Sequence, residues 1–319
     1  MMQYRTLLGQ ELVAVTELML SAINQLPAEI DSGIAKLIKS GGKKLRPALV
    51  ILSSHLYDVS QQQTCYAAAA VEMLHTATLI HDDLIDNAEL RRGQNTLNTR
   101  QSSAVTVLSG DMTFALAAKF AAFTRNPVLV HNFALTLETI CKGELNQLLN
   151  GHNILPTKEA YYERIYEKTA SLFSLCTKSG AILSGANSDE ITRAGSIGYH
   201  IGLAFQIADD VLDFMGSEQQ LGKPVGGDLL QGIITLPMLR YIDKNPDDPR
   251  LLTILENKAN HQLIKQLIID LRQSDAGDWA MAEAVRFIDM ALVQLKTYSE
   301  SPYRLAVEEI AEFAVKRRY

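Results

Sequence analysis

Two segments of the chain carry the same arrangement of acids. In TATLIHDDLIDNAELRRGQN an uncharged, mostly apolar run ends in Asp82, Asp83 and Asp86. In AFQIADDVLDFMG a second apolar run ends in Asp209, Asp210 and Asp213, followed by a glycine. Both sets occupy positions i, i+1 and i+4, so on a helix the first and third carboxylates share a face and the second points about 100° away. Like charges four apart cost a helix about 0.2–0.5 kcal/mol. Near a helix C-terminus they also face the negative pole, an unfavourable site by about 0.3–1 kcal/mol each. A cation offsets both costs. Hard oxygen ligands in this arrangement suit Mg²⁺, which takes one or two carboxylates and completes its shell with water and substrate phosphate. Arg91 and Arg92, just beyond the first set, have planar forks that bind phosphate oxygens. A single DDxxD reads as an ordinary solvated helix end. Two, on helices that face each other, would bring six carboxylates to one cavity mouth, which needs divalent cations and a polyanionic ligand to stay ionised.

The elements that must position these groups are helical. Apolar residues recur three and four apart almost throughout and alternating runs are hard to find, so the period predicts an all-α protein of roughly a dozen helices. Breaks fall at Pro27, Gly41 to Pro47, Gly93, Pro127, Gly151 to Pro156, Gly216 to Gly232, Asn245 to Pro249 and Ser299 to Pro302. No flexible linker or fixed repeat is visible, so residues 1–319 read as one domain. The glycine-rich stretch from Gly216 to Gly232 reads as a lid over whatever the preceding helix binds, or as a plain connection.

Composition bounds the partners. With 47% hydrophobic and 21% charged residues the chain is globular, and a net charge of −6 without a basic stripe argues against nucleic acid. The N-terminal run is amphipathic rather than a signal peptide or a membrane span, which leaves at most peripheral membrane contact. Cys65, Cys141 and Cys176 are far apart and odd in number. They read as reduced core residues of a cytoplasmic protein.

Several motifs in one order resemble the trans-isoprenyl diphosphate synthases. GGKKLRP, Gly41 to Pro47, is similar to the family's GGKRxRP, with Lys44 in place of arginine. HDDLIDNAELRRGQNT resembles its first aspartate-rich motif, with Asn95 where proline is common. EKTASLF carries a Lys-Thr pair, Lys168 and Thr169, and FQIADDVLDF resembles the second aspartate-rich motif. GKPVGGDLLQGIITLP departs from the family pattern, with Ile233 where many members have lysine and Gln231 where many have glutamate. Its DLLQGxxTLP form is similar to that of the catalytic subunits of two-component heptaprenyl diphosphate synthases.

The resemblance implies an isoprenoid synthase-type bundle around a central cavity, and an Mg²⁺-dependent prenyltransferase. Such an enzyme joins isopentenyl diphosphate head-to-tail onto an allylic diphosphate. The allylic diphosphate would be bound through metal held by Asp82, Asp83, Asp86, Asp209, Asp210 and Asp213, and by Arg91, Lys168, Thr169, Gln206 and Lys223. Lys168, Thr169 and Gln206 would also place dipoles near the developing cation. Isopentenyl diphosphate would meet Lys43, Arg46, His75 and Arg92; His75 lies about two helical turns before Asp82, on the same face. The basic end, Lys316 to Tyr319, resembles a tail that approaches the active-site mouth in relatives, or is a solvated terminus.

Small Ala77 and Thr78 sit where short-chain members carry an aromatic stop, so the resemblance implies a medium-to-long product for a quinone side chain. The run Ala67 to Ala70 is either tunnel wall or close helix packing, including packing at a dimer interface. Three other readings stay open: a short-chain farnesyl or geranylgeranyl diphosphate synthase, a class I terpene cyclase, which generally has one DDxxD, and a non-catalytic subunit. The implied assembly is a homodimer, or a heterodimer with a small regulatory subunit.

Overall fold

The computed structural model describes residues 3–24, 26–40, 42–91, 93–150, 156–216, 225–255 and 261–316. The chain is all-α, as its hydrophobic period predicts. The strands among these residues are a two-residue pair, Leu90–Arg91 against Gln94–Asn95, in antiparallel register Leu90 to Asn95 and Arg91 to Gln94. Four residues are too few to show alternation, which is why the sequence period does not reveal this hairpin. Gly93 takes φ +74° at its turn, a left-handed backbone that favours glycine.

The chain gathers into two compact units. The first comprises Met1–Leu137, Leu172–Gly195 and Tyr298–Glu309, and the second Glu138–Ser171, Ser196–Thr297 and Ile310–Tyr319.

The first unit is built on the helix Gln61–Ile85, which packs against Gly9–Ile23, Leu45–Leu56 and Ser103–Phe123. Ser60 caps its start by accepting from the Gln63 amide. From Ala67 to Leu74 every residue is buried. Ala67 to Ala70 are at most 2% exposed inside this single chain, so close helix packing accounts for them. On the facing helix, Gly110 leaves the space that the His81 ring fills; a Cβ there would overlap the imidazole. Gly180 likewise lets its backbone approach that of Ser53, whose hydroxyl accepts from the Gly180 amide at 3.2 Å.

The second unit packs the end of the long helix Ser188–Met215 into a core of Phe214, Leu229, Met238, Leu267 and Leu271. Arg272 closes that helix by donating to the carbonyls of Phe214 (2.7 Å) and Gly216 (2.6 Å), a cation where the helix is negative. The glycine-rich stretch read as a lid contains a short helix, Gly227–Leu230; residues 217–224, Lys223 among them, lie outside the described residues.

All three thiols are free. Only Cys176 is a core residue; Cys65 is half-buried and Cys141 exposed, because Cys141 lies on the outer face of its helix rather than on the apolar stripe.

Candidate active site

The first acidic set sits where its sequence places it, at the end of Gln61–Ile85, with Asp86 as the C-cap and its amide bonded to the Asp82 carbonyl at 2.8 Å. The three carboxylates do not share one environment. Asp82 is half-buried and Asp86 exposed, whereas Asp83 is 2% exposed and accepts from Arg91 Nε at 2.6 Å. The hairpin answers the electrostatic problem of the helix end: it brings Arg91 back onto the one acid that water cannot reach. Burial pushes the Asp83 carboxyl up and outweighs the opposing pull of Arg91, with the charge of Asp86 acting in the same direction as burial. Arg91 is thus paired with a carboxylate here, a partner its phosphate-binding reading did not include. Arg92 lies outside the described residues.

Above this motif the helix has one open edge. His75, Thr78, Leu79 and Asp82 are partly exposed and Asp86 fully, in a helix otherwise buried from Ala67 to Ile80. Their spacing, i, i+3, i+4, i+7 and i+11, is one face. Thr78 lies on that face. Ala77 does not; it is fully buried against neighbouring helices. At the top of the stripe Arg46 Nη1 lies 3.2 Å from His75 Nε2, and its guanidinium stacks over Phe173 at 4.8 Å. A guanidinium can only donate, so His75 accepts on Nε2 and carries its proton on Nδ1. Lys43 is exposed. Lys44 turns away from it: its ammonium donates to the Ile38 carbonyl at 2.7 Å and to Glu72 at 3.1 Å.

The second unit holds the other predicted residues. Lys168 and Thr169 lie in a wide turn, Tyr166–Ala170, closed by the Ser171 amide onto the Tyr166 carbonyl, a π-type turn of the kind found at functional sites. Lys168 is exposed and reaches Glu144 at 3.0 Å. Thr169 donates its hydroxyl to Gln206 Oε1 at 2.6 Å, and Gln206 Nε2 donates to Asp210 Oδ1 at 2.8 Å. Asp210 Oδ2 accepts from Tyr161 at 2.8 Å. Burial, and then the charge of Asp228, push the Asp210 carboxyl up. Asp213 is buried; its carboxylate accepts from the Asp228 amide at 3.2 Å and its carbonyl from Gly226 at 2.9 Å, which ties the described part of the glycine-rich stretch to the motif. Of the second set only Asp209 is partly exposed. Ile233 borders a cavity of about 280 Å³ with Gly143, Asn146, Gln147, Arg164 and Glu167.

Among the described residues no group of three or more acidic, His or Cys side chains forms a ready-made metal nest. Mg²⁺ does not require one. Its usual protein share is one or two carboxylates, which Asp82 and Asp86, one turn apart and open to solvent, can supply. Sequence reasoning missed Tyr161 and Glu144. A tyrosine one turn before Ile165 on the apolar side of its helix is a signal for the first, since a buried hydroxyl needs a partner. Glu144 has none, because its partner Lys168 is distant in the chain.

Residues 27–271 match the family model for polyprenyl synthetase. The chain belongs to the polyprenyl synthetase family. This polyprenyl synthetase is 34% identical over 283 residues to heptaprenyl diphosphate synthase component 2 of Bacillus subtilis, covering 89% of this chain and 81% of that protein. Among solved structures it is similar to heptaprenyl diphosphate synthase from Staphylococcus aureus, with a TM-score of 0.91, 32% identity, and coverage of 97% and 98% of the two chains. A polyprenyl synthase from Caulobacter crescentus, crystallised with calcium and isoprenyl diphosphate, matches with a TM-score of 0.91 and 32% identity over 99% and 97%. The polyprenyl synthetases are prenyltransferases, and so is this chain.

Proposed function

We propose that the chain is a medium-to-long-chain all-trans polyprenyl diphosphate synthase, acting on isopentenyl diphosphate and an allylic diphosphate and supplying a quinone side chain. The observation that carries this reading is the open stripe of Gln61–Ile85: a helix buried on its other faces from Ala67 to Ile80 leaves His75, Thr78, Leu79 and Asp82 accessible and ends in exposed Asp86. Such a stripe suits an apolar chain that grows away from a carboxylate-held diphosphate, and nothing bulkier than leucine stands on it. Asp82 and Asp86 in the first unit, and Asp209 in the second, would each hold Mg²⁺, which would neutralise charge on a departing diphosphate.

The chain's own residues supply the rest. Lys168, freed from Glu144, would bind diphosphate oxygens, as would Arg91 and Lys223. Gln206 and Thr169 would turn oxygen dipoles toward the allylic carbon as its C–O bond breaks and the electron pair leaves with the diphosphate. Arg46, Lys43, Arg92 and His75 would seat isopentenyl diphosphate, whose double bond attacks that carbon and which then loses a proton. The four crossings of the chain between its units that fall inside helices support treating 1–319 as one domain.

The helix Ser103–Phe123 is the one among the described residues long and apolar enough to cross a membrane, yet Thr106, Ser109, Gly110 and Thr113 are buried within the first unit. Its other face exposes Leu108 (66%), Met112 (43%) and Phe123 (45%), an apolar surface that supports pairing with a second copy or a small partner subunit. The word component in the name of the Bacillus subtilis relative supports the partner reading.

The test is the purified chain with isopentenyl and farnesyl diphosphates and Mg²⁺, its products sized by chromatography. Products longer than geranylgeranyl diphosphate are expected, abolished by chelation and reduced about 10²-fold or more in Asp82→Asn. Products that stop at geranylgeranyl diphosphate would establish the short-chain reading instead, and activity only after adding a second protein the two-component one.

A further inference from the structure

Tyr161 has no part in the chemistry proposed above, yet it is among the most completely buried large side chains of the protein. Its hydroxyl donates to Asp210 Oδ2 at 2.8 Å, and its ring lies under the Arg164 guanidinium at 5.5 Å. The other oxygen of Asp210 is taken by Gln206 Nε2, also at 2.8 Å. Asp210 is 3% exposed. Both its oxygens are therefore engaged by protein donors, and it is buried where Asp209 beside it is partly exposed.

This arrangement decides which way Gln206 points. The two ends of a carboxamide have nearly the same shape, and only the partners distinguish them. A carboxylate can only accept, so the amino end of Gln206 must face Asp210. Its carbonyl end then faces Thr169, which donates to it at 2.6 Å. Gln206 lies on the partly exposed edge of its helix with Asp209 and Leu212. If the amide turned over, a partial positive charge would replace a partial negative one on that edge. An allylic carbon developing positive charge is stabilised by the first arrangement and opposed by the second.

We infer that Tyr161 is a positioning residue: it holds Asp210 as an anchor that keeps the Gln206 carbonyl on the open edge, and withdraws that carboxylate from cation binding. The inference rests on the proposed reaction and adds to it a residue outside the acidic motifs, Tyr161, that sets the orientation of Gln206 through Asp210.

Two measurements test it, one without turnover. Mn²⁺ binding in the presence of inorganic pyrophosphate, followed by electron paramagnetic resonance, should be unchanged in Tyr161→Phe and weakened about tenfold or more in Asp209→Asn. In steady state Tyr161→Phe should lower kcat about 10- to 100-fold with the allylic KM nearly unchanged. Combined with Gln206→Ala it should cost nothing further, because it acts through that side chain. If Tyr161→Phe does not fold, Asp210→Asn serves: its new amide faces Gln206 and should turn it, lowering kcat without weakening Mn²⁺. Loss of Mn²⁺ affinity in either variant to the degree of Asp209→Asn would make Asp210 a ligand and overturn the inference. So would additive losses in the double variant. A wild-type chain that forms no polyprenyl product removes the proposed function instead, and the Mn²⁺ measurement still decides between anchor and ligand.

Discussion

Lys44 stands where the motif that its segment resembles has arginine, and its surroundings explain what the position asks for. The residue caps Leu45–Leu56 in a left-handed backbone, φ +52°, which costs a non-glycine residue of order 1 kcal/mol. That geometry aims its ammonium at the Ile38 carbonyl and at Glu72, a carboxylate 7% exposed in the core. Removing the cation would strand a buried charge. Lys44→Ala is therefore expected to destabilise the protein by about 3 kcal/mol, read as a lower urea midpoint, and Lys44→Arg to recover most of the loss. At this scale the sequence was legible wherever chemistry depends on local spacing. Asp82 and Asp86 share a face because 3.6 residues make a turn, and that needs no tertiary knowledge. The partners of Lys44, Lys168 and Asp213 were not legible, since Glu72, Glu144 and Asp228 reach them only through the fold. The burial of Asp83 and Asp210 was hidden for the same reason: a motif letter does not say which of three acids turns inward.

Among the elements, Gln61–Ile85 shows how accessibility along one helix sorts residues that are adjacent in sequence. Thr78 lies on the open stripe and Ala77 on the closed side. Thr78→Phe is expected to shorten the product, seen by chromatography, with the melting temperature little changed. Ala77→Phe should instead lower stability by roughly 1–3 kcal/mol or more through overpacking, and any change in product length would follow from that disruption. A phenylalanine at Thr78 that leaves chain length untouched would show that the stripe does not carry the growing chain. The long helices were legible from their apolar period and their serine and threonine caps. Two short devices were not: the hairpin that returns Arg91 to Asp83, and the wide turn at Tyr166–Ala170. One holds too few residues for a pattern, and the other inserts a residue into a helix without interrupting its period enough to notice.

For the molecule as a whole, acid sensitivity should concentrate in the second unit. Arg250 holds the Asp248 carboxyl down at about 2. Burial pushes Glu283 up, but Tyr162 (2.6 Å), Lys158 and Arg286 (both 3.0 Å) outweigh it and bring it to about 2. Both values lie below the roughly 3.9 and 4.3 of an unfolded chain. The stability they contribute, on the order of 2 kcal/mol each, is therefore complete above about pH 5 and lost as pH falls toward 2. Urea midpoints measured from pH 7 to pH 3 should drop for the native sequence, and Glu283→Gln should lower the value at pH 7 while flattening the slope. A slope unchanged by that substitution would place the acid sensitivity elsewhere. The passages between the units bear on engineering in a different way. At Leu137, Ser171, Gly195 and Glu309 the chain leaves one unit for the other part-way along a helix, so the backbone ladder runs unbroken through each junction. A fifth passage, Thr297 to Tyr298, falls in the turn between Ala276–Leu295 and Pro302–Lys316, and cutting there alone separates neither unit. Neither unit can be expressed as a truncated fragment without severing helices, and hybrids with related synthases should be spliced in the turns, where a graft leaves every ladder whole.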